Sequence, residues 1–320
     1  MKNHFLLSLV WIFLLFLSSS AHALICTFSA SDVAFGAIDI LAGTANDTTA
    51  TVNISCTGVP LTTMRICMNL NAGTGGADNS GRFMQRAGGG TLTYQLYQNP
   101  ARTTIWGSTS WGLTGGPVQL DLPLGLTGSA STTATIYGRV LASQTMAHTG
   151  SYSSAFSGGQ TLFAYAVSTG LFDCNTIGSL PPITASPTFN VTANINDNCA
   201  VTAQNINFGS HGVLGTNVDA TGQVSITCTT STNYTVGLNG GNANGPPTAR
   251  KMSKLSETVT YALYQDAAHN LPWGNTINTN TIAGTGTGLT QNLTVYGRVA
   301  PQSTPSSGTY TDTVVVTVTY

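Results

Sequence analysis

Six cysteines are the residues best equipped for chemistry: Cys26, Cys56, Cys67, Cys174, Cys199 and Cys228. No two stand in a C-x-x-C spacing, so neither a zinc site nor a thioredoxin-like couple has its ligands. An even number in an exported chain reads as three disulfides. Cys26 and Cys56 lie 30 positions apart, and Cys199 and Cys228 lie 29 apart. The near-equal spacing pairs each couple and leaves Cys67 for Cys174. Other chemistry is thinly supplied. Past the leader, His148, His211 and His269 each lack a His, Cys or carboxylate at ligand spacing. Glu257 is the one glutamate, so paired-Glu acid–base work has no pair. Asp121 and Asp173 are isolated. No G-x-S-x-G, Walker or H-E-x-x-H pattern occurs. The run Gly284-Thr285-Gly286-Thr287-Gly288 has no helix after it to hold a phosphate, so it reads as a turn. The expectation is a protein that is not an enzyme and uses no metal or cofactor.

The elements that would position any site follow from composition. The chain has 320 residues, of which 7% are charged, against about 25% in ordinary domains. Lys plus Arg is 10 and Asp plus Glu is 11. Nucleic acid is excluded as a partner, because neutralising phosphates needs a dense basic face. Gly (36 residues), Thr, Ser and Asn suit strands and turns and suit helices poorly. Residues 1–23 read as a signal peptide: Lys2, an apolar run from Phe5 to Leu17, then Ala21-His22-Ala23 as a small-x-small cleavage pattern. The run is too short to span a bilayer comfortably. The mature chain, 24–320, is expected to be exported.

Internal repetition is the strongest feature. Val33-Ala34-Phe35-Gly36 matches Ile206-Asn207-Phe208-Gly209, and Thr93-Tyr94-Gln95-Leu96-Tyr97-Gln98 matches Thr260-Tyr261-Ala262-Leu263-Tyr264-Gln265. Trp106-Gly107 matches Trp273-Gly274, Ile136-Tyr137-Gly138-Arg139-Val140 matches Val295-Tyr296-Gly297-Arg298-Val299, and Gly150-Ser151-Tyr152 matches Gly308-Thr309-Tyr310. The blocks keep their order and alternate apolar with polar residues, the strand signal. The expected fold is all-β: two tandem Ig-like antiparallel β-sandwiches, 24–184 and 185–320, each locked by a disulfide near its start.

The series Cys, Phe-Gly, Cys, Tyr-x-Leu-Tyr, Trp-Gly, Tyr-Gly-Arg-Val, Gly-x-Tyr and a Val/Thr-rich end resembles the spore coat protein U domain family. That family is similar to subunits of archaic chaperone–usher pili, and two such domains in one chain resemble the two-domain tip adhesin of those pili. The resemblance implies pilin-like sandwiches and export through the periplasm to the cell surface at a pilus tip. It also implies three partners: a periplasmic chaperone, an outer-membrane usher and an adjacent pilin subunit. Strand accounting adds an expectation. After Gly308-Thr309-Tyr310 one strand remains, Thr313 to Tyr320, whereas the first copy continues through Phe189-Asn190-Val191-Thr192-Ala193-Asn194-Ile195. The second sandwich is expected to lack its last strand and to expose a groove beside Val314, Val316, Val318 and Tyr320, filled by a partner's strand. Nothing precedes the first domain to be donated, which points to the end of a fibre. Whether Phe189–Ile195 closes the first domain or begins the second stays open.

Residues confined to the first copy need another cause than the fold. Its B–C loop carries Val59-Pro60-Leu61 where the second has Thr229-Thr230-Ser231-Thr232-Asn233. From Trp-Gly to Tyr-Gly it spans 31 positions, against 23 in the second, adding Trp111, Leu113, Val118, Leu120, Leu122, Leu124 and Leu126. Its F–G region adds Leu171, Phe172, Ile177 and Leu180, and only it has Cys67 and Cys174. Leu120, Leu122 and Leu124 alternate as a buried edge strand would. Val59, Pro60, Leu61, Trp111, Leu113, Leu171, Phe172 and Ile177 are expected to form one apolar binding surface at the far end, for a hydrophobic surface or a receptor. The resembling tip adhesins look like binders of hydrophobic surfaces through such loops, which implies attachment and biofilm formation. Two rivals are a structural pilus or coat subunit and a secreted carbohydrate-binding protein that stacks sugars on Trp106 and Trp111.

Overall fold

Period-two alternation puts apolar residues on one face of each strand, and two such faces can only be buried against each other. The computed structural model describes residues 23–109, 115–168, 172–175 and 183–320, and over these it is built almost wholly of strands. The leader up to His22 lies outside the described residues, as do Trp111, Leu113, Leu171, Ile177 and Leu180. Among the described residues no helix is long and apolar enough to cross a membrane.

The first sandwich contains β1 (Ile25–Ala30), β2 (Val33–Ile38), β3 (Asn46–Thr57), β4 (Thr63–Leu70), β5 (Ala77–Asp78), β6 (Gly81–Arg86) and β7 (Thr91–Tyr97). It continues with β8 (Val118–Pro123), β9 (Ser129–Val140), β10 (Gly150–Phe156), β11 (Thr161–Val167), β12 (Ile183–Ala185) and β13 (Phe189–Ile195). One sheet runs β1-β3-β9-β7-β6-β10-β13-β2, and the other runs β12-β11-β4-β8. The Leu120 region is thus an edge strand, with Leu122 and Leu124 buried, as its alternation suggests.

The second sandwich contains β14 (Cys199–Ala203), β15 (Val218–Cys228), β16 (Asn233–Leu238), β17 (Arg250–Lys254), β18 (Glu257–Tyr264), β19 (Ile282–Thr285), β20 (Thr290–Val299) and β21 (Val316–Thr319). Its sheets run β14-β15-β20-β18-β17 and β19-β16-β21. Two separate cores result. All three expected disulfides are present. Cys26 faces Cys56 and Cys199 faces Cys228 directly across β1–β3 and β14–β15.

The repeated motifs are packing devices. Trp106 and Trp273 are fully buried, and their indole N–H groups donate to Met68 O at 2.8 Å and Val236 O at 2.9 Å. Their own carbonyls accept from buried Arg82 and Arg250, each at 2.7 Å. In Tyr-Gly-Arg-Val, Arg139 binds Asp47 at 2.7 and 2.8 Å with two nitrogens, and Arg298 binds Asp219 at 2.7 Å with two. The glycine of that motif leaves room for the Phe-Gly phenyl. A Cβ on Gly138 would come within 3.0 Å of Phe35, and one on Gly297 within 2.9 Å of Phe208.

The open question about Phe189–Ile195 is answered by its pairing. β13 pairs antiparallel with all of β10 and parallel with β2, and it buries Phe189, Val191, Ala193 and Ile195 in the first core. β13, which lies past the 184/185 boundary expected from the sequence, thus packs in the first core. The first sandwich is also not purely antiparallel, because its closing strand lies parallel to β2. Among the described residues, the second sandwich has no counterpart of β12 or β13.

The closing strand gives a stability prediction. Ile195→Ala removes a side chain 1% exposed and should destabilise the first sandwich by about 2–5 kcal/mol. Ser153→Ala, on the exposed face of neighbouring β10, should stay within about 0.5 kcal/mol. Denaturant midpoints of the two variants provide the check.

Candidate functional site: a free apolar pole and an open groove

β3 runs from Asn46, opposite Val140, to Thr57, opposite Ser129. The loop after Val140 and the B–C loop after Thr57 are therefore at opposite poles. The first of these meets the second sandwich. Thr149 N donates to Thr230 O at 3.2 Å, Thr230 Oγ1 donates to Met146 O at 3.0 Å, and His148 Nδ1 is 2.8 Å from Ser231 Oγ. Thr230 and Ser231 belong to the second copy's B–C loop. That loop is polar because it is docked. The same loop in the first copy points away from the second sandwich.

At that free pole the B–C loop and the turn before β9 brace one another. Gly58 N donates to Gly128 O at 2.8 Å, Leu124 N to Thr62 O at 2.8 Å, and Thr62 Oγ1 to Val59 O at 2.7 Å. Gly128 has φ +71°, and a Cβ there would lie 2.3 Å from Gly58 O, so only glycine permits this contact. Held in this frame, Val59 is 51% exposed, Leu61 73% and Leu126 83%, with Pro60 half-buried between. Leu61 has φ +60°, a region that L-residues with bulky side chains avoid. A strained, solvated leucine is not explained by packing. Neither loop carries a charge.

The structure buries Phe172 instead of displaying it, so Phe172 drops out of the expected exposed surface. Phe172 is 5% exposed and packs with Cys67, Ala164 and Cys174 in a small cluster apart from the main core. The Cys67–Cys174 bridge draws its loop onto the sheet, and Arg65 Nη1 donates to Phe172 O at 3.1 Å. Asp121 binds the same guanidinium at 2.8 Å, which holds its carboxyl below the usual range. Thr109, the last described residue before Trp111, bonds to Asn69 and Cys174 near the far end of β4 from the B–C loop. Trp111, Leu113, Leu171 and Ile177 themselves lie outside the described residues. Trp106 offers no sugar platform, since its ring is wholly interior. Leu126 joins the pole unselected by the sequence reading. The pairing of its turn with the B–C loop is tertiary and left no linear signal.

The second site is a groove of about 480 Å³ in the second sandwich. Val224, Leu238, Leu263 and Val295 form its floor, residues 203–206 with Phe208 one wall, and residues 310–314 the other. Val314 and Val316 line it; Val318 packs against the same core, and Tyr320 stays 55% exposed outside the lining. In the first sandwich the matching walls are β2 and β10, with β13 between them. In the second, the copy of β10 is reduced to one bridge, Ser253 with Thr311. Asp312 stands where the first copy has Ser154. It accepts from Tyr261 OH at 2.6 Å and Asn242 N at 2.7 Å. Burial, reinforced by this carboxylate, pushes the Tyr261 hydroxyl's pKa up. Asp312 was missed in the sequence, although the aligned Gly-x-Tyr blocks show the exchange.

The family's sequence model, the Spore Coat Protein U domain, matches residues 12–157 and again 185–317. The chain belongs to the spore coat protein U domain family. Protein U of Myxococcus xanthus is 34% identical over 154 residues, 43% of this chain and 86% of that protein. In fold, the chain is similar to the tip adhesion subunit of the archaic chaperone–usher Csu pili of Acinetobacter baumannii, solved in a pre-assembly complex with its chaperone. The TM-score is 0.52 at 18% identity, over 92% of this chain and 100% of that one. The CupB6 tip adhesin of Pseudomonas aeruginosa aligns at TM-score 0.38 and 11% identity, over 92% and 94%.

Leu61 supplies a direct check on strain. Leu61→Gly removes the left-handed penalty of about 1–2 kcal/mol and adds about 0.5–1 kcal/mol of chain entropy. It should raise the stability of the first sandwich by up to about 1.5 kcal/mol, read as a higher melting temperature. A loss of stability would mean the side chain is packed rather than displayed.

Proposed function

We propose that this protein is a pilus tip adhesin: the free pole of the first sandwich attaches to hydrophobic surfaces, and the groove of the second joins the fibre by accepting a strand. The observation that carries this reading is the contrast between the copies. One sandwich is closed by its own β13, and the other is open along the same path over an apolar floor. Unpaired backbone and exposed core side chains are costly, and a strand from another chain removes both costs. The fold relative was captured with its chaperone and is described as a tip subunit, which supports a periplasmic chaperone as first occupant. An adjacent pilin subunit then replaces it, with an usher as the assembly platform. Export and display at the cell surface follow from the same reading.

Val59, Leu61 and Leu126 suit adhesion rather than assembly. They are apolar, braced and on the pole away from the second sandwich. Apolar burial contributes about 25 cal/mol per Å², so a patch of a few hundred Å² contributes several kcal/mol per tip before ordering costs. Many pili multiply this by avidity. With no charge in either loop, attachment should tolerate salt.

Two outcomes are expected. Replacing Val59, Leu61 and Leu126 together by Ser should leave piliation intact while attachment to hydrophobic plastic and biofilm mass fall several-fold. Fully piliated cells that attach as before would remove the pole from the binding site. Co-expression with the cognate chaperone should raise the soluble yield of the full chain. A chain that is monomeric without it, with both sandwiches melting at high temperature, would overturn the groove reading.

A further inference from the structure

Suppose the protein is held at its free pole, as the adhesin reading has it, and pulled through the second sandwich. Tension then follows the shortest covalent route through the first sandwich. From Leu61 the chain enters β4 at Thr63, reaches Cys67, crosses the disulfide to Cys174, and leaves through β12 and β13. The bridge spans a sequence separation of 107. Strands β5 to β11 therefore lie on a closed loop outside the tensioned path. Cys174 is fixed where it enters this path: Thr109 Oγ1 donates to its carbonyl at 3.3 Å, and Arg65 holds Phe172 O beside it.

Downstream of Cys174, the tensioned chain includes β13. Its end at Ile195 pairs with Gly150, next to the pole that meets the second sandwich. A pull along the long axis acts along this strand, and its ladders to β10 and β2 are loaded together rather than one bond at a time. The second sandwich is built otherwise. Its bridge has a sequence separation of 29 and closes only the β14–β15 hairpin. Where Cys67 sits opposite Ala164, the second copy has Thr235 opposite Thr319. It has no shunt.

We propose that the Cys67–Cys174 bridge acts as a mechanical limiter, diverting tension around the first sandwich so that only the stretches flanking the bridge, chiefly residues 175–198, can extend. At about 3.4 Å per residue the path from Leu61 to residue 198 has a contour of roughly 100 Å with the bridge and roughly 470 Å without it. Less the folded pole-to-pole span of about 40 Å, the twelve residues of β3, the sandwich lengthens by roughly 60 Å oxidised and roughly 430 Å without the bridge.

The test holds the full chain in optical tweezers, under non-reducing conditions. One handle is at position 61 through Leu61→p-azidophenylalanine, and the other is a C-terminal tag. The second sandwich should release roughly 310 Å beyond its own bridge, which marks its event in every trace. The first sandwich should release roughly 60 Å as a discrete step, rising about sevenfold in C67S/C174S. A release near roughly 430 Å from the oxidised chain, or no discrete step near roughly 60 Å, overturns the proposal; this readout stands even where the double variant does not fold. Under flow, piliated C67S/C174S cells that attach normally at rest should be retained several-fold less than wild type. Equal retention overturns the limiter's role in attachment. Loss of attachment at rest by the Val59, Leu61 and Leu126 variant tests the adhesin reading separately.

Discussion

A β-sandwich must pair the backbone along its edges and cover its apolar interior, and in this protein one strand decides whether it does. β13 lies between β10 and β2, filling the first core with Phe189, Val191, Ala193 and Ile195. With it, β10 is a seven-residue strand. Without it, the matching stretch keeps one bridge, and the Phe-Gly stretch that matches β2 stays outside any ladder. The loss of one strand thus unmakes two neighbours, because a strand between two others satisfies donors and acceptors on both sides. The groove follows from this dependence.

The same economy governs the loops. The two B–C loops occupy equivalent positions on equivalent sandwiches and differ in what they face. Thr230 and Ser231 face the other domain and bond to it through backbone and hydroxyl groups. Val59 and Leu61 face solvent, and their apolar character has no intramolecular explanation. An internal repeat supplies its own control: whatever both copies share belongs to the fold, and whatever one copy alone has needs a local cause. Phe172 shows the limit of that rule. It is private to the first copy, yet its cause is the private disulfide beneath it and not a ligand.

The buried arginines extend the lesson to motifs. Arg82 and Arg250 sit in the interior and donate to carbonyls that include the Trp-Gly carbonyl. Burial pushes the Arg82 pKa down to about 10, which still leaves it charged at neutral pH. Each cation ties the end of a strand, β4 or β16, to the Trp-Gly carbonyl. Without such a partner, the tryptophan carbonyl would be a buried orphan.

The sequence by itself determined the strand content, the tandem repeat, the disulfide pairing and the burial of the alternating Leu120 strand. Each of these is local or repeats at near-fixed spacing: alternation reports a half-buried strand, and two copies with near-equal cysteine intervals report two matching bridges. Tertiary structure alone decided that Phe189–Ile195 closes the first sandwich, because its alternation would suit either domain and only its pairing with β10 and β2 chooses. It also decided that Leu126 shares a pole with Leu61 and that Phe172 is buried. Proximity there is set by which strands neighbour one another across the sheets, and linear spacing carries no record of that.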